Sequence, residues 1–170
     1  MTGVQTCALP ICDMLLDQTY SPQGVIRWKD LLPSRCKLFV GPQYAMLRPE
    51  FHRARKFPRL RDGSISRILI AFGGVDIDNA TGLAVETLAG LDSRGLFVDV
   101  VIGSANPNRS RVRDRCDSLS NFTVHIQPDN IADIMMAADL AIGAGGTMMW
   151  ERCFVGLPTI LVSIADNQTN

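Results

Sequence analysis

From residue 66 onward, short apolar runs alternate with segments of helical spacing, and this alternation constrains the fold more than any other feature. The alternation predicts five strands and four helices. Strands that are apolar on both faces and alternate with helices predict a parallel sheet covered on both sides. With right-handed crossovers, this is a doubly wound, Rossmann-like α/β domain. The predicted strands span 67–72, 97–102, 122–126, 140–142 and 159–164, and the helices span 79–91, 108–119, 130–138 and 147–155.

Residues 12–65 follow a different pattern. They offer two short strands, at 13–17 and 37–40, which are too little to bury a core alone. We therefore interpret 12–65 as the tail of a preceding Rossmann-like domain plus a linker, with 49–61 forming a short helix and the linker. Residues 66–170 form the second domain, and because the chain stops just after a predicted strand, this domain could be clipped at its end.

Residues 1–11 are uncharged and show neither helical nor strand periodicity. They also lack the basic and the long apolar regions of a signal peptide. The string MTGVQTCALPI looks like the translation of a common sequencing-library adapter, so we expect an artefact here and exclude it from fold prediction. A natural disordered N-terminus is the alternative.

The composition excludes several classes of protein. With 17 basic and 17 acidic side chains, the chain has no net charge with which to hold nucleic acid or acidic lipid. No apolar run reaches the ~18–20 residues of a membrane span. Five cysteines without metal-site or redox spacing predict a reduced, cytoplasmic protein. Two histidines, far apart, are too few for a histidine-based metal site.

Two glycine turns each join a predicted strand to a helix. Gly73 and Gly74 allow a ligand to approach the backbone closely, although an ordinary tight turn is an equal alternative. Neither the dinucleotide fingerprint nor a phosphate-binding loop is present, which disfavours a nicotinamide or ATP site. Gly145 and Gly146 bare the backbone amides at a helix start, where the dipole favours phosphate.

Four polar residues that follow in the sequence can bind phosphate, ribose or sugar hydroxyls. Thr147 can cap the helix or donate to a phosphate oxygen. Glu151, four residues on, can accept hydrogen bonds from both ribose hydroxyls, and a solvated Glu151 is the alternative. Asn167 and Gln168 follow the last strand and can bind sugar hydroxyls, unless they form only a polar turn.

A basic stretch runs from Arg48 to Arg67 and could clamp a phosphate or RNA. No aromatic platform is interleaved with it, so we expect a solvated linker instead.

Five segments together resemble the UDP-2,4-diacetamido-2,4,6-trideoxy-β-L-altropyranose hydrolase family of pseudaminic acid biosynthesis. That family is akin to spore-coat polysaccharide proteins and to GT-B glycosyltransferases of the lipid II type. The resemblance covers nearly all of residues 13–170. The segments are LLDQTY at 15–20, GPQYAMLRPEF at 41–51, ILIAFGGVDIDNAT at 68–81, AGGTMMWERCFVGLP at 144–158 and DNQ at 166–168.

The resemblance implies a GT-B-like pair of Rossmann-like domains with a nucleotide-sugar in the cleft and UDP on the second domain. By matching position, the turn at 145–146 and Thr147 contact the diphosphate, and Glu151 binds the ribose. Asn130 and Ile131, at a helix start, face the uracil, and Gly74 belongs to the same UDP-binding set. Asn167 and Gln168 reach toward the sugar or the phosphates. No metal or other cofactor is implied.

The implied reaction is hydrolysis of the sugar–UDP bond with anomeric inversion, helped by a histidine base. The family's glycine-histidine motif does not occur here, and neither His52 nor His125 matches it, so we assign no catalytic residue. We expect the base in a missing N-terminal domain, which would be the intramolecular partner of this chain. The full-length parent would then be the hydrolase, while this chain is inactive but able to bind UDP weakly. A UDP-sugar glycosyltransferase and a non-catalytic nucleotide-sugar binding module are the alternatives.

Overall fold

The computed structural model describes residues 12–91 and 95–164. The chain divides into two compact units, Met1–Leu47 and Arg48–Asn170. Residues 48–65, which the sequence assigned to the tail and linker, therefore group with the second unit. The physical reason lies in their arginines, whose contacts are described below.

The first unit contains the two predicted short strands. Strand β1 (Met14–Asp17) pairs in parallel with β2 (Lys37–Val40), with Met14 opposite Lys37. Two 3-10 helices, Gly24–Trp28 and Pro42–Tyr44, complete it. Among the described residues 12–47 only Val40 is buried, which agrees with the expectation that these strands bury little core.

Two cysteines of the first unit lie together, although their separation of 24 positions has no redox or metal-site spacing. The Sγ atoms of Cys12 and Cys36 are 3.2 Å apart. Desolvation, and then the neighbouring Cys12 thiol, raise the pKa of Cys36 to about 11. The Cys36 side chain is therefore a protonated thiol at neutral pH.

The second unit is built on a five-stranded sheet in which every pairing is parallel. The strand order is β5-β4-β3-β6-β7, which confirms the predicted α/β fold with a doubly wound parallel sheet. The short helix predicted within 49–61 is present and ends at Ala54. The strands are β3 Arg67–Ala71, β4 Phe97–Ile102, β5 Phe122–Ile126, β6 Leu140–Ala144 and β7 Thr159–Val162, and the helices are α1 Pro49–Ala54, α2 Ala80–Ala89, α3 Arg109–Asp117, α4 Ile131–Ala137 and α5 Thr147–Phe154.

The strand order reverses between β3 and β6. From β3 the chain builds outward to β4 and β5, and it then returns to the other side of β3 to build β6 and β7. The two central strands end level with each other, with Ala71 opposite Gly143. In open parallel sheets, ligands bind beyond the carboxyl ends of the strands at such a reversal point.

The main hydrophobic cluster of this unit lies on the face of β3 and β4 that α2 and α3 cover. Val85 and Leu88 of α2 and Val112 of α3 pack against one face of the sheet. Full burial of each aliphatic side chain contributes about 1.5–3 kcal/mol to the free energy of unfolding, so β3 and β4 contribute much of the stability of the unit. The buried strand residues of this cluster are Ile68, Ile70, Val98, Val100 and Ile102.

The basic stretch is not the solvated linker that the sequence predicts. The Arg61 guanidinium donates to carbonyl oxygens of Met135 (3.2 Å) and Ala138 (3.0 Å) at the end of α4, and to Gly156 (3.0 Å) after α5. Arg59 donates to the carbonyl of Ala137 and pairs with Asp139. These arginines satisfy carbonyls that a helix end leaves without intrahelical partners, which fixes residues 48–65 to the sheet unit.

Candidate functional site

Two glycine turns lie side by side at the reversal point of the sheet. One follows β3 at Gly73 and Gly74, and the other follows β6 at Gly145 and Gly146. Gly73 (φ +98°) and Gly146 (φ +95°) have backbone conformations that disfavour a side chain. A Cβ atom built on Gly73, Gly74 or Gly146 meets no atom within 4 Å. The backbone of both turns is therefore open to a ligand.

The turn at Gly74 is held by a third glycine. A Cβ atom on Gly103, just beyond the end of β4, would lie 2.1 Å from the carbonyl oxygen of Gly74 and 2.6 Å from its Cα atom. Only glycine permits this approach of two backbones. Sequence spacing could not predict the contact between Gly103 and Gly74, because it joins two loops that are far apart in sequence.

A small cavity of about 120 Å³ opens beside the first turn. It brings together Gly74 and Ile131, which the resemblance placed in one UDP-binding set. Asn130 is exposed and occupies the N-cap position of α4, where its side chain makes no capping hydrogen bond. The cavity is also lined by Arg48, Gly73, Gly103, Gln127, Pro128 and Met148.

Thr147 does not cap helix α5, contrary to one of its two predicted roles. Thr147 is the first residue of the helix and is exposed, and the capping position is held by Gly146, which offers no side chain. The first amides of α5 therefore have no side-chain acceptor at the cap. This leaves the start of the helix free to bind an anion, since its dipole favours negative charge there.

Glu151 of α5 is buried, with 4% of its surface exposed, so the alternative of a solvated carboxylate is wrong. Its Oε1 atom accepts hydrogen bonds from Nε (3.2 Å) and Nη2 (3.1 Å) of Arg48. Its Oε2 atom is buried and has no hydrogen-bond partner. Burial raises the pKa of Glu151, and Arg48 opposes that shift. A buried oxygen without a donor costs free energy that a ligand hydroxyl can recover.

Arg48 is a site residue that the sequence analysis missed. Besides Glu151, its guanidinium pairs with Glu50 (3.3 Å) and lies over the ring of Phe51 (5.3 Å). It also lines the cavity beside Gly74. The signal was present in the segment GPQYAMLRPEF, but Arg48 was counted with the basic stretch because its partner lies 103 residues away.

Neither histidine of the chain lines the cavity. His52 on α1 packs edge-on against Phe154, and Nε2 of His125 lies 2.8 Å from Asp99, which Arg67 also binds. Asn167 and Gln168 lie outside the described residues, so their predicted roles in sugar binding stay predictions.

The described ranges, 12–91 and 95–164, hold no cluster of three or more His, Cys, Asp or Glu side chains that could bind a metal ion. They also contain no helix of the length and apolarity that a membrane span needs.

The chain is similar to several known proteins. The spore coat polysaccharide biosynthesis protein SpsG of Bacillus subtilis is 31% identical over 150 residues, which cover 86% of this chain and 43% of that protein. The uncharacterized protein MJ1062 of Methanocaldococcus jannaschii is 32% identical over 129 residues, covering 73% of this chain and 26% of that protein. No protein-family model matches the chain.

A third relative is the UDP-2,4-diacetamido-2,4,6-trideoxy-β-L-altropyranose hydrolase of Campylobacter jejuni. It is 26% identical over 141 residues, covering 82% of this chain and 48% of that protein. The predicted resemblance to that hydrolase is therefore confirmed, and the chain spans less than half the length of each of these relatives. Among solved structures, MurG of Acinetobacter baumannii matches with a TM-score of 0.48 and 16% identity, covering 82% of this chain and 39% of that one.

Proposed function

We propose that this chain is the UDP-binding part of an enzyme that hydrolyses a UDP-linked diacetamido-trideoxy-altrose in pseudaminic acid biosynthesis. The observation that carries the proposal is the buried Oε2 atom of Glu151, which lacks a donor and belongs to the helix that starts at the open glycine turn. A ribose hydroxyl is a donor that fits this oxygen, and a diphosphate is an anion that fits the start of the helix.

The nucleotide would lie along the carboxyl edge of the sheet. The amides at Gly145, Gly146 and Thr147 receive the diphosphate, and Glu151 receives the ribose. The uracil enters the cavity lined by Gly74 and Ile131, next to Asn130 at the start of α4. Asn167 and Gln168 reach the sugar or its phosphates.

In the proposed reaction, water attacks the anomeric carbon from the face opposite UDP. The bond between that carbon and the phosphate oxygen breaks, the electron pair leaves with UDP, and a base accepts the proton of the water. The amides at the start of α5 stabilise the charge that develops on the departing diphosphate. We assign this base to no residue of the chain, because neither His52 nor His125 lines the cavity.

Titration of the 170-residue chain with UDP tests the ribose site. We expect Glu151→Ala to weaken UDP binding by about tenfold or more, because hydrogen bonds to a charged group contribute about 1.5–3 kcal/mol. Glu86→Ala is the matched control, since Glu86 is an exposed glutamate of α2 that pairs with Arg115. Equal heats of binding for wild type and Glu151→Ala would rule out the Glu151 assignment.

A glycosyltransferase is the second candidate, because the relative with 31% identity carries the name of a polysaccharide biosynthesis protein. The full-length parent enzyme distinguishes the two reactions. A hydrolase releases UDP and free sugar from the UDP-sugar in water alone, whereas a transferase forms product only after an acceptor is added. A non-catalytic binding module would bind UDP and release nothing in either assay.

A further inference from the structure

Arg152 is the largest fully buried side chain in the described part of the molecule, with 1% of its surface exposed. It follows Glu151 on α5 and reaches back toward the start of the helix. Its Nη2 atom donates to the carbonyl of Ala144, and Nη1 lies 3.4 Å from the carbonyl of Ala71. These two residues end β6 and β3, so the guanidinium lies between the central strands where they separate.

The fold makes space for this side chain. A Cβ atom on Gly143 would lie 2.4 Å from Nη1 of Arg152 and 2.2 Å from the carbonyl oxygen of Ala71. Glycine at position 143 is therefore required for the guanidinium to occupy this place.

Arg152 makes no direct ion pair among the described residues, although the charge of the adjacent Glu151 carboxylate acts to raise its pKa. Its polar contacts there are the two strand-end carbonyls, and its Nε atom is buried without a partner. The neighbouring Glu151 carboxylate is instead bonded by Arg48. Burial lowers the pKa of Arg152, yet a guanidinium keeps its proton in proteins. A buried cation without a directly bonded anion is costly, so an anion that binds nearby would be favoured.

We propose that Arg152 is a positioning residue that supplies the buried positive charge beneath the diphosphate-binding turn. This inference rests on the proposed function. Carbonyls at the carboxyl ends of β3 and β6 would repel a diphosphate, and Arg152 neutralises them by donating to both. The residue that it binds, Ala144, directly precedes the turn at Gly145 and Gly146. Arg152 thereby strengthens binding of the ligand's diphosphate and contributes little to binding of its nucleoside.

The test compares the affinities of the 170-residue chain for UDP and for uridine. Arg152→Gln keeps hydrogen-bond donors and removes the charge, whereas Arg152→Lys keeps the charge. We expect Arg152→Gln to weaken UDP binding by about tenfold or more and to leave uridine binding within about twofold, because a charge acts on the diphosphate alone. Arg152→Lys should retain most of the preference for UDP. Arg67→Gln is the control, since Arg67 begins β3 at the opposite end of the strand and pairs with Asp99.

The outcomes separate this inference from the proposed function. If the wild type binds UDP no better than uridine, the diphosphate site itself is absent. If the wild type prefers UDP and a folded Arg152→Gln keeps the same preference, Arg152 has no electrostatic role while the UDP site stands. If Arg152→Gln does not fold, Arg152→Lys decides: a retained preference supports the inference, and a lost preference overturns it. Failure of both variants to fold would make Arg152 a structural residue and would also overturn it.

Discussion

At the scale of single residues, the neighbours Glu151 and Arg152 are both buried, and each has partners for only part of its polar group. Glu151 is bonded through one oxygen by Arg48, while Arg152 donates to the strand-end carbonyls of Ala71 and Ala144. The sequence predicted that Glu151 binds a ligand, because its spacing from Gly146 is local. Its burial and the role of Arg152 depend on residues about 80 to 100 positions away and could not be read from spacing.

Gly146 gives a prediction at this scale, because its positive φ combines with a position at the start of α5. Gly146→Ala should lower the free energy of unfolding by about 1–3 kcal/mol through backbone strain, since no atom blocks the added methyl group. It should also weaken UDP binding, because the methyl group covers the open turn. Thermal unfolding and calorimetric titration measure the two effects.

Gly63→Ala is the matched control for that prediction. Gly63 has a similar φ of +93° and equally open surroundings, but it lies in the loop before β3. Its substitution should lower stability by a similar amount and leave UDP affinity unchanged. If Gly146→Ala binds UDP as well as Gly63→Ala does, the turn at 145–146 does not contact the ligand.

At the scale of helices and strands, the sheet could be predicted from the sequence, whereas the arginine contacts at the helix ends could not. The five strands and the two glycine turns follow from local periodicity, and the structure contains them close to the predicted positions. The helix ends depend on Arg55, Arg59 and Arg61, which donate to carbonyls of α4 and α5 that lie 74 to 99 positions away. A run of arginines looks the same in sequence whether it is solvated or bonded to helix ends.

A substitution of Arg61 tests how much these arginine contacts contribute to stability. Arg61→Met should lower the free energy of unfolding by about 3 kcal/mol, because hydrogen bonds from a charged donor to carbonyls at the ends of α4 and α5 are lost. Denaturant unfolding followed by circular dichroism measures the change. Arg53→Met is the control, since Arg53 is exposed on α1 and should alter stability by less than about 0.5 kcal/mol. Equal midpoints for the two variants would contradict the support that Arg61 is expected to give.

At the scale of the whole molecule, the sheet of the second unit ends at β7, which pairs only with β6 among the described residues. β7 is the last strand in the order, and Ile160 and Leu161 are each about half exposed. An exposed apolar edge strand readily pairs with another chain. We therefore expect the 170-residue chain to self-associate as its concentration rises, which sedimentation velocity measures.

A lysine on this strand should suppress the association, because edge strands that carry charge resist pairing. Ile160→Lys should shift the chain toward monomer with little change in the unfolding midpoint, since its side chain is 51% exposed. Leu60→Lys is the control, because Leu60 is 94% exposed in the segment before β3 and belongs to no strand. If both variants associate as the wild type does, the contact between chains lies elsewhere than β7. A monomeric Ile160→Lys chain would also give cleaner titrations with UDP, because association could then not compete with binding.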